Sequence, residues 1–213
     1  MAVAIFGLSA NPPHKGHLRV AEALHNLGYE RVVWMLTPQN PLKRAVPTAF
    51  AYRMELARLL VGRRTWLELS DAEAWMQLYG EELRTHAMLS HLVQIYPQTP
   101  FTFVMGSDNW MHFHNWGKFK EILELASILV VPRPGSSKLE QSAAAITLAD
   151  KRDKQNDGIV RPGCWRILAD IPGGSASASQ IRRALVDRQD SPWLTPQQIQ
   201  YIQEHNLYRE MDY

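Results

Sequence analysis

Six short apolar runs alternate with segments of helical period along this chain, and that alternation restricts the fold more than any other feature. The runs are 2–7 (AVAIFG), 31–36 (RVVWML), 65–69 (TWLEL), 101–105 (FTFVM), 127–131 (SILVV) and 164–168 (CWRIL). Several are apolar throughout, which is the pattern of strands covered on both faces. Strands interleaved with helices form a mostly parallel sheet with crossover helices. The expected fold class is therefore α/β, with strands covered on both faces. Helices are predicted over about 17–27, with Leu18, Ala21, Leu24 and Leu27 on one stripe and Gly28 as its cap, and over about 49–61 with Thr48 as a cap. Further helices are predicted over about 84–95, 118–126 and 179–188, and a last one opens at Thr195-Pro196. Residues 132–163 read as a polar excursion with one helix over 138–152. With no linker, repeat or low-complexity tract, residues 1–213 are taken as a single domain, its C-terminal helices (about 177–208) packing on it.

Composition narrows the function classes. Hydrophobic residues make up 46% and charged residues 21%, ordinary for a globular protein. No apolar run approaches the ~20 residues needed to cross a membrane, and no basic leader precedes the first strand, so neither a membrane nor a secretory signal is expected. The single cysteine, Cys164, excludes an internal disulfide and a cysteine metal cluster, and suits a reducing cytoplasm. The formal net charge is only +2, with no basic block of the kind that binds nucleic acid.

The chemistry concentrates in Gly7 to His17 (GLSANPPHKGH). A strand that ends in a small-residue turn and feeds a helix N-terminus offers backbone N–H groups and the positive end of a dipole to an anion. Two histidines three residues apart, His14 and His17, stand at that terminus, and histidine can donate hydrogen bonds to phosphate oxygens. The residues alone also permit a plainer reading, in which both are loop and cap residues without a ligand. Near the other end, Ser175-Ala176-Ser177-Ala178-Ser179-Gln180-Ile181-Arg182 places hydroxyls at a helix start and a guanidinium one turn in, able to fork onto polyphosphate oxygens. A serine-capped helix with a surface arginine fits the same letters. Gly106-Ser107-Asp108 directly follows a strand, where open α/β sheets bind ligands, and Asp108 can accept hydrogen bonds from a ribose hydroxyl or an amino group. The remaining histidines show no metal-ligand spacing beyond His112-x-His114, which alone reads as surface.

Together these elements resemble the HxGH nucleotidyltransferase superfamily, related to class I aminoacyl-tRNA synthetases, and within it the bacterial nicotinate mononucleotide adenylyltransferases. The first signature, G-x-[ST]-x-[DN]-P-x-H-x-G-H, falls on Gly7, Ser9, Asn11, Pro12, His14, Gly16 and His17. Leu8 and Ala10 depart from it, standing where the family usually has Gly or Ser, and Phe. The second, ISSTxIR, falls on Ser177, Ser179, Ile181 and Arg182. Thr37 to Lys43 resembles the family's substrate loop, and Tyr201 to Tyr208 its terminal YIxxHxLY, read here as packing under the second signature. The likeness runs from about residue 3 to residue 208, nearly the whole chain.

The resemblance implies a doubly wound, mostly parallel Rossmann-like sheet in an α/β/α sandwich, and adenylyl transfer from ATP to nicotinate mononucleotide, giving nicotinate adenine dinucleotide and pyrophosphate. It implies catalytic roles for His14, His17 and Arg182. It implies ATP binding by Gly7, Leu8, Ser9, His14, His17, Gly106, Asp108, Ser177, Ser179, Ile181 and Arg182. Lys43, Thr85, Asp108 and Trp116 are the implied mononucleotide ligands, with Trp116 stacking on the pyridine ring. Mg2+ is expected with ATP, and no protein metal site. The implied setting is a cytoplasmic enzyme with small-molecule partners and no nucleic acid or membrane; a homo-oligomer is compatible. An enzyme directed at nicotinamide mononucleotide or phosphopantetheine, and a non-catalytic nucleotide sensor on the same fold, are the alternatives.

Overall fold

The computed structural model of the protein describes residues 1–38, 47–78, 85–133, 135–155, 157–168 and 176–209. Strand β1 (Val3–Leu8) leads into helix α1 (Lys15–Asn26), β2 (Arg31–Leu36), α2 (Phe50–Val61) and β3 (Leu67–Ser70). Then come α3 (Ala72–Leu78), α4 (Thr85–Ile95), β4 (Phe101–Gly106), α5 (Ser107–His112), α6 (Phe119–Leu125) and β5 (Ser127–Val131). After α7 (Ala143–Thr147), β6 (Trp165–Ile167), α8 (Ala178–Val186) and α9 (Pro196–Glu204) complete the order.

The six strands form one sheet in the order β3-β2-β1-β4-β5-β6, every neighbour parallel. All six apolar runs of the sequence became strands. The unbroken apolar letters have the expected cause, since both sheet faces are covered. On one face Ala4, Phe6, Trp34, Leu36 and Val104 pack with Leu18, Ala21 and Leu24 of α1 and Met54, Ala57 and Leu60 of α2. On the other, Ile5, Met35, Phe103, Met105, Ile128 and Val130 pack with Met88 and Leu89 of α4 and Ile122 and Leu123 of α6. A third, smaller cluster joins Leu56 of α2 to Ile181 of α8, Leu194, Ile202 of α9 and Tyr208.

The chain runs outward from β1 to β2 and β3, then returns to pair β4 on the other side of β1. That reversal opens a crevice beyond the carboxyl ends of β1 and β4, the place where such sheets hold ligands.

Local differences from the sequence reading have physical reasons. The single helix expected over 138–152 is instead a 3-10 turn, the short α7, and a second 3-10 turn. Lys138 sits in the left-handed region (φ 62), and Ser142 is extended and caps a new start by accepting from the Ala145 N–H at 3.2 Å. The Leu139 and Leu148 carbonyls accept from the indole N–H groups of Trp110 (3.0 Å) and Trp165 (2.7 Å), so core tryptophans interrupt the helix. Thr48 does not cap α2. Ala49 holds that position, and the Thr48 carbonyl accepts from Arg53 Nε at 2.7 Å. Helix α1 starts two residues earlier than expected, so that His14 is its cap and His17 lies inside its first turn. Thr195 caps α9 with Pro196 in the first turn, as the sequence predicts. Helices α3 and α5 were not anticipated.

Candidate active site

The first motif folds as a loop between β1 and α1, passing Ala10 in the left-handed region (φ 46) and a cis bond at Asn11-Pro12. Its course is fixed from beneath by Arg53, which is 1% exposed. One guanidinium donates to the carbonyls of Ser9 (2.6 Å), Thr37 (2.8 Å), Pro38 and Thr48. A buried cation among four carbonyl oxygens is satisfied without an acid. It ties the loop after β1 to the loop after β2, at the floor of the crevice.

The two histidines meet at the N-terminus of α1. Their rings stack at a centroid separation of 3.7 Å and 21°. The His14 N–H donates to His17 Nδ1 at 3.2 Å, one half of a capping box. An accepting Nδ1 puts the proton of a neutral His17 on Nε2, making that atom the donor. His14 is 4% exposed. Burial, reinforced by the positive charge of Arg133, lowers its pKa to about 4, so its ring is neutral at pH 7. Gly16 makes the arrangement possible. A Cβ there would lie 2.9 Å from His14 Nδ1 and 3.0 Å from the Ala176 Cβ. The glycine of the first motif is thus the seat for both the histidine ring and the lead-in to the second motif.

The second motif docks on the first. Arg182, one turn into α8, donates from Nη1 to the Asn11 carbonyl at 2.6 Å, across 171 positions of sequence, and from Nη2 to Ser179 Oγ at 3.4 Å. Ser177 is the N-cap of α8 without a side-chain cap bond, and Ile181 is buried in the third cluster. His14, His17 and Arg182 are therefore brought to one loop. Gly7, Leu8 and Ser9 lead into that loop, and a Cβ at Gly7 would stand 3.0 Å from the Phe103 ring, close enough that the ring would have to give way.

Across the crevice, β4 ends at Gly106 and α5 begins at Ser107. Asp108 is exposed, with its carboxylate 3.5 Å from Arg133 Nη1. The Arg133 N–H donates to the buried Ser107 Oγ at 3.2 Å. Arg133 escaped the sequence reading, although a cation directly after a strand, in the turn-forming Pro132-Arg133, was a usable signal. Half-buried Trp116 packs in T-shaped contact with Phe113 (5.4 Å) and Phe103 (6.3 Å). Thr85 is the first residue of α4, and its neighbour His86 reaches Glu121 of α6 at 3.2 Å. Glu73, also missed, lies near Thr37. Burial raises its carboxyl pKa, and a hydrogen bond with Thr37 partly offsets this. Lys43 and Ser175 lie outside the described residues.

The profile of the cytidylyltransferase-like family matches residues 5–184. The chain belongs to this family. Among similar proteins, a probable nicotinate-nucleotide adenylyltransferase of Ruegeria pomeroyi is 33% identical over 188 residues, covering 85% of each chain. One of the same name from Agrobacterium fabrum is 35% identical over 192 residues, covering 85% of this chain and 98% of its own. Among solved structures, the nicotinic acid mononucleotide adenylyltransferase of Plasmodium falciparum complexed with NaAD superposes with a TM-score of 0.73. It is 18% identical and 97% of each chain is covered, a likeness of fold. The doubly wound, Rossmann-like sheet is thus the family's frame, and the two motifs that meet on it, at Gly7–His17 and Ser177–Arg182, both begin within the matched span.

A family of nucleotidyltransferases suggests a divalent metal. Among the described residues, no three His, Cys, Asp or Glu side chains gather as a cage for one.

Proposed function

We propose that this protein is a nicotinate-nucleotide adenylyltransferase acting in NAD biosynthesis, and that its phosphate site is the loop shared by His14, His17 and Arg182. A phosphate oxygen of nicotinate mononucleotide attacks the α-phosphorus of ATP in line. The new P–O bond forms as the bond to the β-phosphate bridging oxygen breaks, and pyrophosphate leaves with that electron pair. No protein nucleophile is needed, so catalysis consists of alignment and stabilisation of developing charge. The observation that supports this reading is the Arg182–Asn11 link, which ties a guanidinium of α8 to the loop that also carries the two stacked imidazoles.

In this reading, backbone N–H groups near Leu8 and Ser9, the dipole of α1 and His17 Nε2–H receive the triphosphate. Neutral His14 can donate to phosphate oxygens without requiring a proton from solvent. Arg182 and Ser179 close from the C-terminal side, with Ser177 and Ile181 bordering the nucleotide. Gly106 and Asp108 meet the sugar, Arg133 adds positive charge, and Lys43, Thr85 and Trp116 take the acceptor. Mg2+ entering with ATP neutralises charge on the phosphates. Cys164 stays reduced in the cytoplasm, where we place the reaction.

The test is release of pyrophosphate from ATP by the purified protein with nicotinate mononucleotide, nicotinamide mononucleotide or phosphopantetheine. The expected ranking by kcat/KM puts the nicotinate acceptor first. A higher value for either other acceptor replaces the substrate assignment. ATP binding without pyrophosphate release on any of the three makes the protein a sensor.

A further inference from the structure

Gln198, in the first turn of α9, is completely buried. Its side-chain amide donates both hydrogens, to the Pro13 carbonyl and to the Leu56 carbonyl, each at 3.0 Å. Its Oε1 accepts from the Thr195 N–H at 3.0 Å, while its own N–H donates to Thr195 Oγ1 at 3.2 Å, so the cap of α9 locks the amide in place. On the other side of His14, the Lys15 N–H donates to the Trp193 carbonyl at 2.9 Å and Lys15 Nζ to the Pro192 carbonyl at 2.8 Å. The residues immediately before and after His14 are therefore both pinned by the segment 192–198.

Packing alone does not explain an amide at this position. The surroundings are the apolar cluster of Leu56, Ile181, Leu194 and Ile202, where an aliphatic side chain fits and a polar one is costly unless fully bonded. The amide's two hydrogens go to one carbonyl of α2 and one of the histidine loop. The His14 ring, meanwhile, has no hydrogen-bond partner at Nδ1 among the described residues. It is placed by its stack on His17, and that stack follows the backbone on either side of it.

We propose that Gln198 is a positioning residue for the histidine pair. Through Pro13, and together with the carbonyls of Pro192 and Trp193 at Lys15, it sets the pitch of the loop that presents His14 and His17 to the triphosphate. The effect on turnover rests on the function proposed above, whereas the effect on ring geometry does not.

The experiment compares Gln198→Met, which keeps the volume and removes both donors, with Ile202→Val, which loosens the same helix without touching the loop. Each variant is read for kcat and KM, for melting temperature, and for the ring-proton NMR signals of His14 and His17, which stacking at 3.7 Å shifts. A displacement near 1 Å costs up to ~10²-fold in rate. Gln198→Met is expected to lower kcat by about tenfold to a hundredfold with KM for both substrates little changed, and to lose the stacking shift. Ile202→Val is expected to lower the melting temperature and to keep both. Gln198→Met with wild-type kcat and an intact stacking shift overturns the proposal, as does equal loss of kcat and stability in the two variants. If Gln198→Met does not fold, Lys15→Met breaks the surface end of the same clamp. Its stacking shift should then weaken, and an unaltered shift overturns the proposal. The NMR readings need no substrate, so a wild-type protein inactive on every acceptor sinks the proposed function while still deciding the role of Gln198.

Discussion

His17 carries the sharpest prediction among single residues. Removing one preorganised donor to a developing charge typically costs about 10²-fold or more in rate, about 3 kcal/mol. His17→Ala is therefore expected to lower kcat by at least about that factor while circular dichroism stays near wild type and melting falls only by the few degrees that a lost helix cap costs; wild-type turnover removes its assigned role. His14 makes a prediction about stability. Its folded pKa of about 4 lies below the ordinary 6.5, so between those values the unfolded chain binds the extra proton. Stability from this group is complete above pH 6.5 and falls as pH drops towards 4. Linkage gives a loss of about 2 kcal/mol between pH 7 and pH 5. Denaturant unfolding of wild type and His14→Gln at the two pH values should differ by that amount, and parallel pH responses would contradict the buried neutral ring. The histidines and Arg182 were legible because their spacing is local and their chemistry distinctive. Arg53 stood in Arg53-Met54-Glu55-Leu56-Ala57, which resembles the family's RxxMxxLA helix, but its carbonyl partners were not legible. Gln198 was not legible at all, because it acts on main-chain carbonyls 142 and 185 positions away and no pattern of side-chain letters encodes a carbonyl's direction.

Among the elements, the strands were read almost to the residue, since burial on both faces leaves an unbroken apolar signature. The excursion after β5 was not, because its shape comes from single contacts rather than periodicity. Asp153 is its anchor, with Oδ1 2.9 Å from Arg161 Nε and Oδ2 3.8 Å from Arg166 Nη1. Arg166, itself buried, also donates to the carbonyls of Gln155, Asp157 and Gly158. Removing the charge of one buried partner leaves the other uncompensated, typically at a cost of about 3–5 kcal/mol. Asp153→Asn is expected to lower the melting temperature by roughly 6–20 °C in a chain of this size. None of the hydrogen bonds or ion pairs described for this cluster reaches a residue of either motif, so KM for ATP should stay the same in the molecules that remain folded. A raised KM would make the excursion part of the nucleotide site.

At the scale of the whole molecule, the site is a joint between chain ends. β1 and its loop supply the histidines, α8 supplies Arg182, and the α2 carbonyl at Leu56 shares the Gln198 amide with Pro13. A ligand that bridges both ends stabilises the whole fold by mass action, about 2.7 kcal/mol at a hundred times its dissociation constant. ATP with magnesium is expected to raise the melting temperature by about 5–10 °C at that saturation. Arg182→Met should shrink the rise at the same ATP concentration, and an undiminished rise would place the triphosphate away from α8. The order of the two motifs was plain in the sequence, and the resemblance carried their pairing. Their contact through Gly16 and Ala176 was not plain, because it depends on how the sheet brings residue 16 beside residue 176.

Arg53 steadies the loop at Ser9, whereas Pro13 and Lys15 are held by Gln198 and by the carbonyls of Pro192 and Trp193. A variant shortened to stop before Pro192 would keep every letter of the first signature and is expected to lose the stacking of its two rings.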